Sequence, residues 1–168
     1  MPMPMPMPIP MLDTGTPAMT EPSADALQRG LANRRRVLGD EWVDQSVARA
    51  NELNVEFQRM ITAYAWDGIW SRPGLERRTR RIMVLAITAS MGRWEEFELH
   101  IRTGLLADPA DAEAAPLDLD TIREVLLQTA VYAGVPAGNT GMAITLKILK
   151  ELGRTPAPAS FHPPSDTA

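Results

Sequence analysis

A glutamate and a histidine stand four residues apart in the segment 92–102, which reads Gly-Arg-Trp-Glu-Glu-Phe-Glu-Leu-His-Ile-Arg. On a helix, this spacing places the side chains of Glu96 and His100 next to each other. A carboxylate raises the pKa of a neighbouring imidazole and orients its ring, as acid–base catalysis requires. Solvent-exposed and structural pairs use the same spacing, so the spacing alone leaves both interpretations open.

Arginines are concentrated in two other segments. Four of them, Arg77, Arg78, Arg80 and Arg81, lie at the start of a predicted helix, where the positive end of the helix dipole disfavours cations. A solvated helix start would also account for this cluster. The mismatch favours anion binding, because guanidinium groups hold carboxylates through paired hydrogen bonds. Residues 34–36 are arginines too, and their place near a helix C-terminus is explained by the dipole alone.

The composition excludes several classes of chemistry. The chain has 168 residues and no cysteine, which removes disulfides, zinc–thiolate sites, iron–sulfur clusters and thiol nucleophiles. Of the two histidines, His162 lies among prolines near the end, so His100 is alone in the body of the chain. We therefore expect no tight transition-metal site, although a carboxylate site stays possible.

The charge and the apolar runs argue against two kinds of partner. A net charge of −4 does not suit a nucleic-acid-binding surface, which must contact phosphates with basic groups. The longest strongly apolar run, 82–91, is half of the roughly 20 residues that a membrane helix needs. We expect a cytoplasmic protein, because the N-terminal segment lacks the basic start and continuous apolar core of a secretory signal.

Proline divides the chain into three parts. Residues 1–22 hold six of the ten methionines and seven of the fifteen prolines, and this Met-Pro repeat cannot form a helix. We predict a disordered head at 1–22, one folded domain at 23–153 and a disordered proline-rich tail at 154–168.

The positions of helix-capping and helix-breaking residues predict seven helical segments, and no alternating pattern predicts a strand. The sequence therefore indicates an all-α domain. Ser23 is a predicted first cap, Asp118 or Asp120 a cap for the sixth helix, and 108–119 a loop. The aromatic-rich segment 64–70 is expected to form a wall of the core. The predicted helices cover about 24–39, 41–52, 54–70, 75–91 (the longest), 93–106, 119–133 and 139–152.

Two of these helices carry more apolar surface than a small bundle easily hides. Residues 82–91 are apolar nearly all round, and helix 93–106 has apolar side chains on both sides. Burial at the centre of the monomer and burial between subunits both explain this pattern. We predict a homo-oligomer.

Several motifs, in order across about 34–149, resemble the carboxymuconolactone decarboxylase family. They include Arg36-Val37-Leu38-Gly39-Asp40, Tyr64-Ala65-Trp66, Arg72-Pro73-Gly74-Leu75, Gly92-Arg93-Trp94-Glu95-Glu96, Leu99-His100 and Tyr132-Ala133-Gly134-Val135-Pro136. The resemblance implies an alkylhydroperoxidase-like helical bundle that assembles as a trimer or hexamer. It also implies cofactor-free decarboxylation of 4-carboxymuconolactone to the enol-lactone of 3-oxoadipate, in protocatechuate breakdown.

Peroxidase relatives in this superfamily use Cys-x-x-Cys followed four residues later by histidine. In that register Arg93 and Glu96 take the cysteine positions and His100 the histidine position, so we expect no thiol peroxidase activity. Our hypothesis makes His100 the general acid and Glu96 the residue that holds and tunes it. Arg77, Arg78 and Arg81, followed by Arg93, are the expected anchors for the carboxylated lactone.

The sequence departs from the family pattern at three places. Gly68 stands where an acidic residue is usual, and Met142-Ala143 stands where Phe-His is typical. The loop 108–119 is also longer than in typical members. These differences leave two alternatives: a paralogue that acts on another lactone or β-keto-type acid, or a non-catalytic protein that binds small acids or serves as a scaffold.

Overall fold

Seven α-helices and no strand are found in the computed structural model, which describes residues 21–160. This confirms the predicted all-α fold class. The predicted head lies outside the described residues up to residue 20, and the predicted tail lies outside them from residue 161. The helices are α1 (Ala24–Leu38), α2 (Asp40–Ala48), α3 (Val55–Ile61), α4 (Arg77–Ser90), α5 (Trp94–Leu106), α6 (Leu119–Ala133) and α7 (Val135–Glu151).

Side-chain caps begin two of the helices at the predicted residues. Ser23 Oγ accepts a hydrogen bond from the backbone N–H of Ala26 at the start of α1. Asp118 accepts one from the N–H of Thr121 at the start of α6, over 2.7 Å. Each cap satisfies one of the N–H groups that have no partner in the first turn of a helix.

Two predicted helix boundaries were wrong. The helix α7 begins at Val135 rather than 139, because Pro136 lies in its first turn, where a backbone N–H has no partner to lose. With 17 residues, α7 is therefore longer than α4, which has 14 and was expected to be the longest. The helix α2 ends at Ala48, four residues before the predicted end.

The third predicted helix changes type within its length. After α3 the chain forms a π-helix, Thr62–Ile69, whose wider turn is closed by the bond from Trp70 N–H to the Ala65 carbonyl. π-Helical turns are rare and often occur at functional sites. Here the turn stacks the rings of Trp66 and Trp70, with their centroids 5.0 Å apart.

Two hydrophobic clusters form the interior. The larger joins α4, α5, α6 and α7 and includes Leu85, Phe97 and Leu126. The smaller joins the end of α1, α2 and the π-helix. The helix α5 contributes to both, since Leu99 packs against the smaller cluster. Burial within the monomer therefore accounts for much of the two-sided apolar surface of α5.

No helix in the range 21–160 is both long enough and apolar enough to cross a membrane.

The α1–π-helix contact generates a first prediction. A Cβ atom on Gly30 would overlap the backbone carbonyl of Thr62, so Gly30→Ala should force the two helices apart. We expect a loss of about 1–3 kcal/mol in the free energy of unfolding, measured by urea denaturation. Gly74→Ala is the matched control, because no atom lies within 4 Å of the added methyl group. Equal stability of the two variants would contradict this packing.

Candidate active site

Arg81, on α4, is completely buried, and its two terminal nitrogens donate to oxygen atoms of the protein. It donates hydrogen bonds to the carbonyl oxygens of Val37, His100 and Ala114 and to Thr103 Oγ1. Burial lowers the pKa of Arg81 to about 10, so the group stays charged at neutral pH. The sequence suggested a substrate anchor, but these donors are directed at protein oxygens. The observed geometry uses Arg81 to position α5.

Arg77 and Arg78 also donate to protein groups. Arg77 Nε lies 3.0 Å from a carboxylate oxygen of Glu113, and Arg78 Nη2 lies 2.7 Å from one of Asp118. Both arginines line a cavity of about 490 Å³ that these same carboxylates enter. A substrate anion would have to compete with the carboxylates, so the observed contacts of these arginines hold the segment 108–118 against α4.

Arg93 differs from the other three predicted anchors. It is exposed and directly precedes α5, and its side chain has no hydrogen-bond partner among residues 21–160. Arg93, Trp94 and Glu96 line a cavity of about 410 Å³ at the N-terminal end of α5. Arg93 and the predicted catalytic residue Glu96 therefore share one open cavity.

His100 lies in the interior, with 5% of its surface exposed. Its ring is nearly parallel to that of Trp70, at 9° and a centroid distance of 6.1 Å. Its Nδ1 atom has no hydrogen-bond partner within the described part of the chain. Burial, together with the positive charge of Arg81, lowers the pKa of His100 to about 3. The imidazole is therefore neutral at pH 7.

The role of Glu96 in holding and tuning His100 stays a prediction. The carboxylate was expected to raise the imidazole pKa, whereas in the free protein burial and the charge of Arg81 lower that pKa. Glu96 is exposed, and no hydrogen bond joins it to His100 in the structure of residues 21–160. Its carboxylate acts on another group: burial lowers the pKa of Arg34, and the charge of Glu96 opposes this.

Arg34 is a buried cation that the sequence did not single out. It is 5% exposed, and its guanidinium donates to Gln58 Oε1 over 3.1 Å and to Ser46 Oγ over 3.0 Å. The ring centroid of Trp42 lies 5.0 Å from its guanidinium carbon. The helix dipole explains an arginine near the end of α1, but not its burial. Its position on the helix could have indicated the burial: Arg34 lies four residues after Gly30 and four before Leu38, so it shares a helix face with these two buried residues.

These groups define what the site can do. Arg93 can bind a carboxylate at the start of α5, and the neutral His100 can exchange a proton at Nδ1, which has no partner in the part of the chain that the structure describes. Among residues 21–160, no group of three or more histidine, aspartate or glutamate side chains is arranged to hold a metal ion.

Comparisons with known proteins agree with the sequence resemblance. The model of the carboxymuconolactone decarboxylase family matches residues 56–147. A 4-carboxymuconolactone decarboxylase of Acinetobacter baylyi is 34% identical over 129 residues, which is 77% of this chain and 90% of the relative. A nitrosuccinic acid decarboxylase of Metarhizium robertsii is 32% identical over 123 residues, 73% of this chain and 80% of the relative.

The buried histidine generates a prediction about stability and pH. An unfolded histidine has a pKa near 6.5 and His100 in the folded chain has one of about 3, so the unfolded state binds more protons between these values. The stabilising contribution of neutral His100 is complete above pH 6.5 and is lost as the pH falls towards 3. Urea denaturation from pH 7.5 to 4.5 should show a steeper loss for wild type than for His100→Gln. Parallel curves would contradict the buried neutral ring.

Proposed function

Because the chain belongs to the carboxymuconolactone decarboxylase family, we propose that it converts 4-carboxymuconolactone to the enol-lactone of 3-oxoadipate in protocatechuate catabolism, without a cofactor. The observation that carries the proposal concerns His100 and Arg93 on the same helix. The histidine is buried and stacked, and within residues 21–160 neither its Nδ1 nor the Arg93 side chain has a hydrogen-bond partner. The Acinetobacter relative, which is named for this activity, supports the choice of substrate.

The proposed reaction makes three demands on the protein. The bond between the ring carbon and its carboxylate breaks, carbon dioxide leaves, and the electron pair spreads into a dienolate through the C=C bond and the lactone carbonyl. A proton then joins the ring carbon next to that carbonyl. The site must anchor carboxylates, stabilise the lactone oxyanion and supply the proton.

His100 is the proposed source of the proton. In the free protein it is neutral at pH 7, because its pKa is about 3. A bound dianion would place negative charge beside the ring and raise this pKa, since an opposite charge favours the protonated form. We propose that the imidazole takes up a proton as substrate binds and then donates it to the dienolate. Stacking on Trp70 holds the ring plane for that transfer.

Arg93 and Glu96 complete the proposed machinery at the start of α5. Arg93 would hold a substrate carboxylate where the positive end of the helix dipole adds to its charge. A protonated imidazole gains a second N–H donor, so Glu96, one turn away, would orient and tune His100 in the substrate complex. Arg77, Arg78 and Arg81 would support the site indirectly, through the segment 108–118 and α5.

The Metarhizium relative supports a second candidate substrate class. It is nearly as similar as the Acinetobacter relative and is named for nitrosuccinic acid. A nitro group, like a conjugated lactone, can accept the electron pair that a departing carboxylate leaves behind. Gly68, Ala143 and the long 108–119 segment differ from the family pattern and would reshape the pocket. The alternative is therefore a paralogue that decarboxylates another activated acid.

We propose that a second copy of the chain covers the exposed apolar face of α4. Met83, Ile87 and Met91 follow each other at four-residue intervals and are 46%, 52% and 63% exposed. On α6, Leu127 and Val131 form a similar exposed pair. Subunit interfaces bury such surfaces, and the trimer or hexamer expected from the family resemblance would do so here.

Replacement of His100 tests the proposed reaction. His100→Gln should keep the helical fold but lower kcat for 4-carboxymuconolactone about 10²–10⁴-fold, because glutamine cannot deliver a proton. Loss of substrate absorbance and carbon dioxide release both measure this. His162→Gln, at the other histidine, should keep wild-type rates. Near-normal carbon dioxide release by His100→Gln would contradict the assignment. Turnover of nitrosuccinate but not of the lactone by wild type would favour the paralogue.

A charge on α4 tests the proposed assembly. Ile87→Lys should dissociate the oligomer, because a lysine in an apolar interface loses its hydration without a partner. Sedimentation velocity would show a shift from the oligomeric to the monomeric mass. Gln28→Lys, at an exposed position of α1, should not change the mass. A monomeric wild-type protein would contradict the proposed interface.

A further inference from the structure

A small polar cavity lies beside Arg34, between α2 and α3. Its volume is about 200 Å³, and it is lined by side chains of α2, of α3 and of the turn between them. The lining residues are Trp42, Gln45, Ser46, Arg49, Asn54 and Gln58. None of these residues is acidic, and Arg49 adds a second cation. The cavity is therefore suited to an anion rather than to a cation.

Arg34 contacts three of the lining residues. It donates to Ser46 and Gln58 and stacks on Trp42, so its guanidinium lies directly behind the cavity wall. Two of its five N–H donors are used, and its Nε has no partner within residues 21–160. Its described contacts contain no carboxylate within ion-pair distance. A buried charge with only neutral partners is costly, and an anion would offset that cost.

The contrast with Arg81 separates a structural arginine from a binding one. Arg81 is buried more completely, and within residues 21–160 it too has no acidic partner and no partner for its Nε. Its two terminal nitrogens, however, donate to four protein acceptors. Arg34 has two acceptors, and both are side chains that can rotate. Its neighbours Arg35 and Arg36 are paired with aspartates outside the core. Arg34 is thus the arginine of this triplet that can accept a ligand.

We propose that Arg34, with Ser46 and Gln58, binds a carboxylate group of a small organic acid. The assignment rests on the proposed function: the ligand is a dicarboxylate, and this site takes the carboxylate that is not lost. The site would select acids with a second carboxylate over monocarboxylates.

The test uses succinate, an unreactive dicarboxylate, and isothermal titration calorimetry on the full chain. Arg34→Gln should weaken succinate binding at least tenfold, because the charge that holds the carboxylate is lost. Arg35→Gln is the matched control: it removes the next arginine of α1 and should change the affinity less than twofold. Equal losses in both variants, or no succinate binding by wild type, would overturn the proposal.

A second variant keeps the test valid if Arg34→Gln fails to fold. Gln58→Glu places a carboxylate against Arg34, which should preserve or raise stability while it blocks the site. We expect succinate affinity to fall at least tenfold and the KM for 4-carboxymuconolactone to rise more than kcat falls. If Arg34 is only structural, Gln58→Glu will bind succinate like wild type, and that result overturns the proposal.

The two proposals fail in different ways. His100→Gln should lose turnover but still bind succinate, because the proposed carboxylate ligands Arg34, Ser46 and Gln58 are unchanged in this variant. Wild-type protein that binds succinate through Arg34 but does not decarboxylate the lactone would contradict the proposed function and keep the carboxylate site. Full turnover and an unchanged KM in Gln58→Glu would contradict the carboxylate site at Arg34 and keep the proposed function.

Discussion

The guanidinium of Arg81 donates hydrogen bonds to oxygen atoms from three separate parts of the chain: the end of α1, the middle of α5 and the short helical turn at 112–114. Their backbone carbonyls are all acceptors and cannot satisfy one another, so the guanidinium supplies the donors at the point where they meet. The positive charge is buried, so its position is determined by the acceptors that surround it. The position of α5, and with it His100, depends on this arrangement.

The same charge sets the electrostatics of the candidate site. Burial and the nearby guanidinium keep His100 neutral, so a proton on the ring requires added negative charge. We propose that a bound dicarboxylate supplies that charge; Arg34 lies behind the cavity between α2 and α3, and Arg93 lies at the start of α5. Under the proposed mechanism, substrate binding and protonation of His100 would be coupled, which would suppress proton transfer in the empty site.

Much of the fold could be predicted from local patterns. The caps at Ser23 and Asp118 depend on residues within three positions, and these were correct. The start of α7 was placed too late, because proline breaks a helix interior but fits its first turn. The sequence predicted one continuous helix here and did not predict the π-helix, whose first residue, Thr62, packs closely against α1 at Gly30.

The candidate site, like the fold, could be predicted from the sequence only in part. The sequence by itself determined the helical class, the absence of thiol chemistry and the position of His100 four residues after Glu96. Only the tertiary structure decided which charges are buried: Arg81 was directed inward to backbone carbonyls, Arg34 was brought behind a polar cavity, and Arg93 was left open. The reason is physical. Spacing along a helix determines which side chains are neighbours. Whether a charged side chain is buried, and which groups bond to it, depends on the residues that other helices bring to the same place.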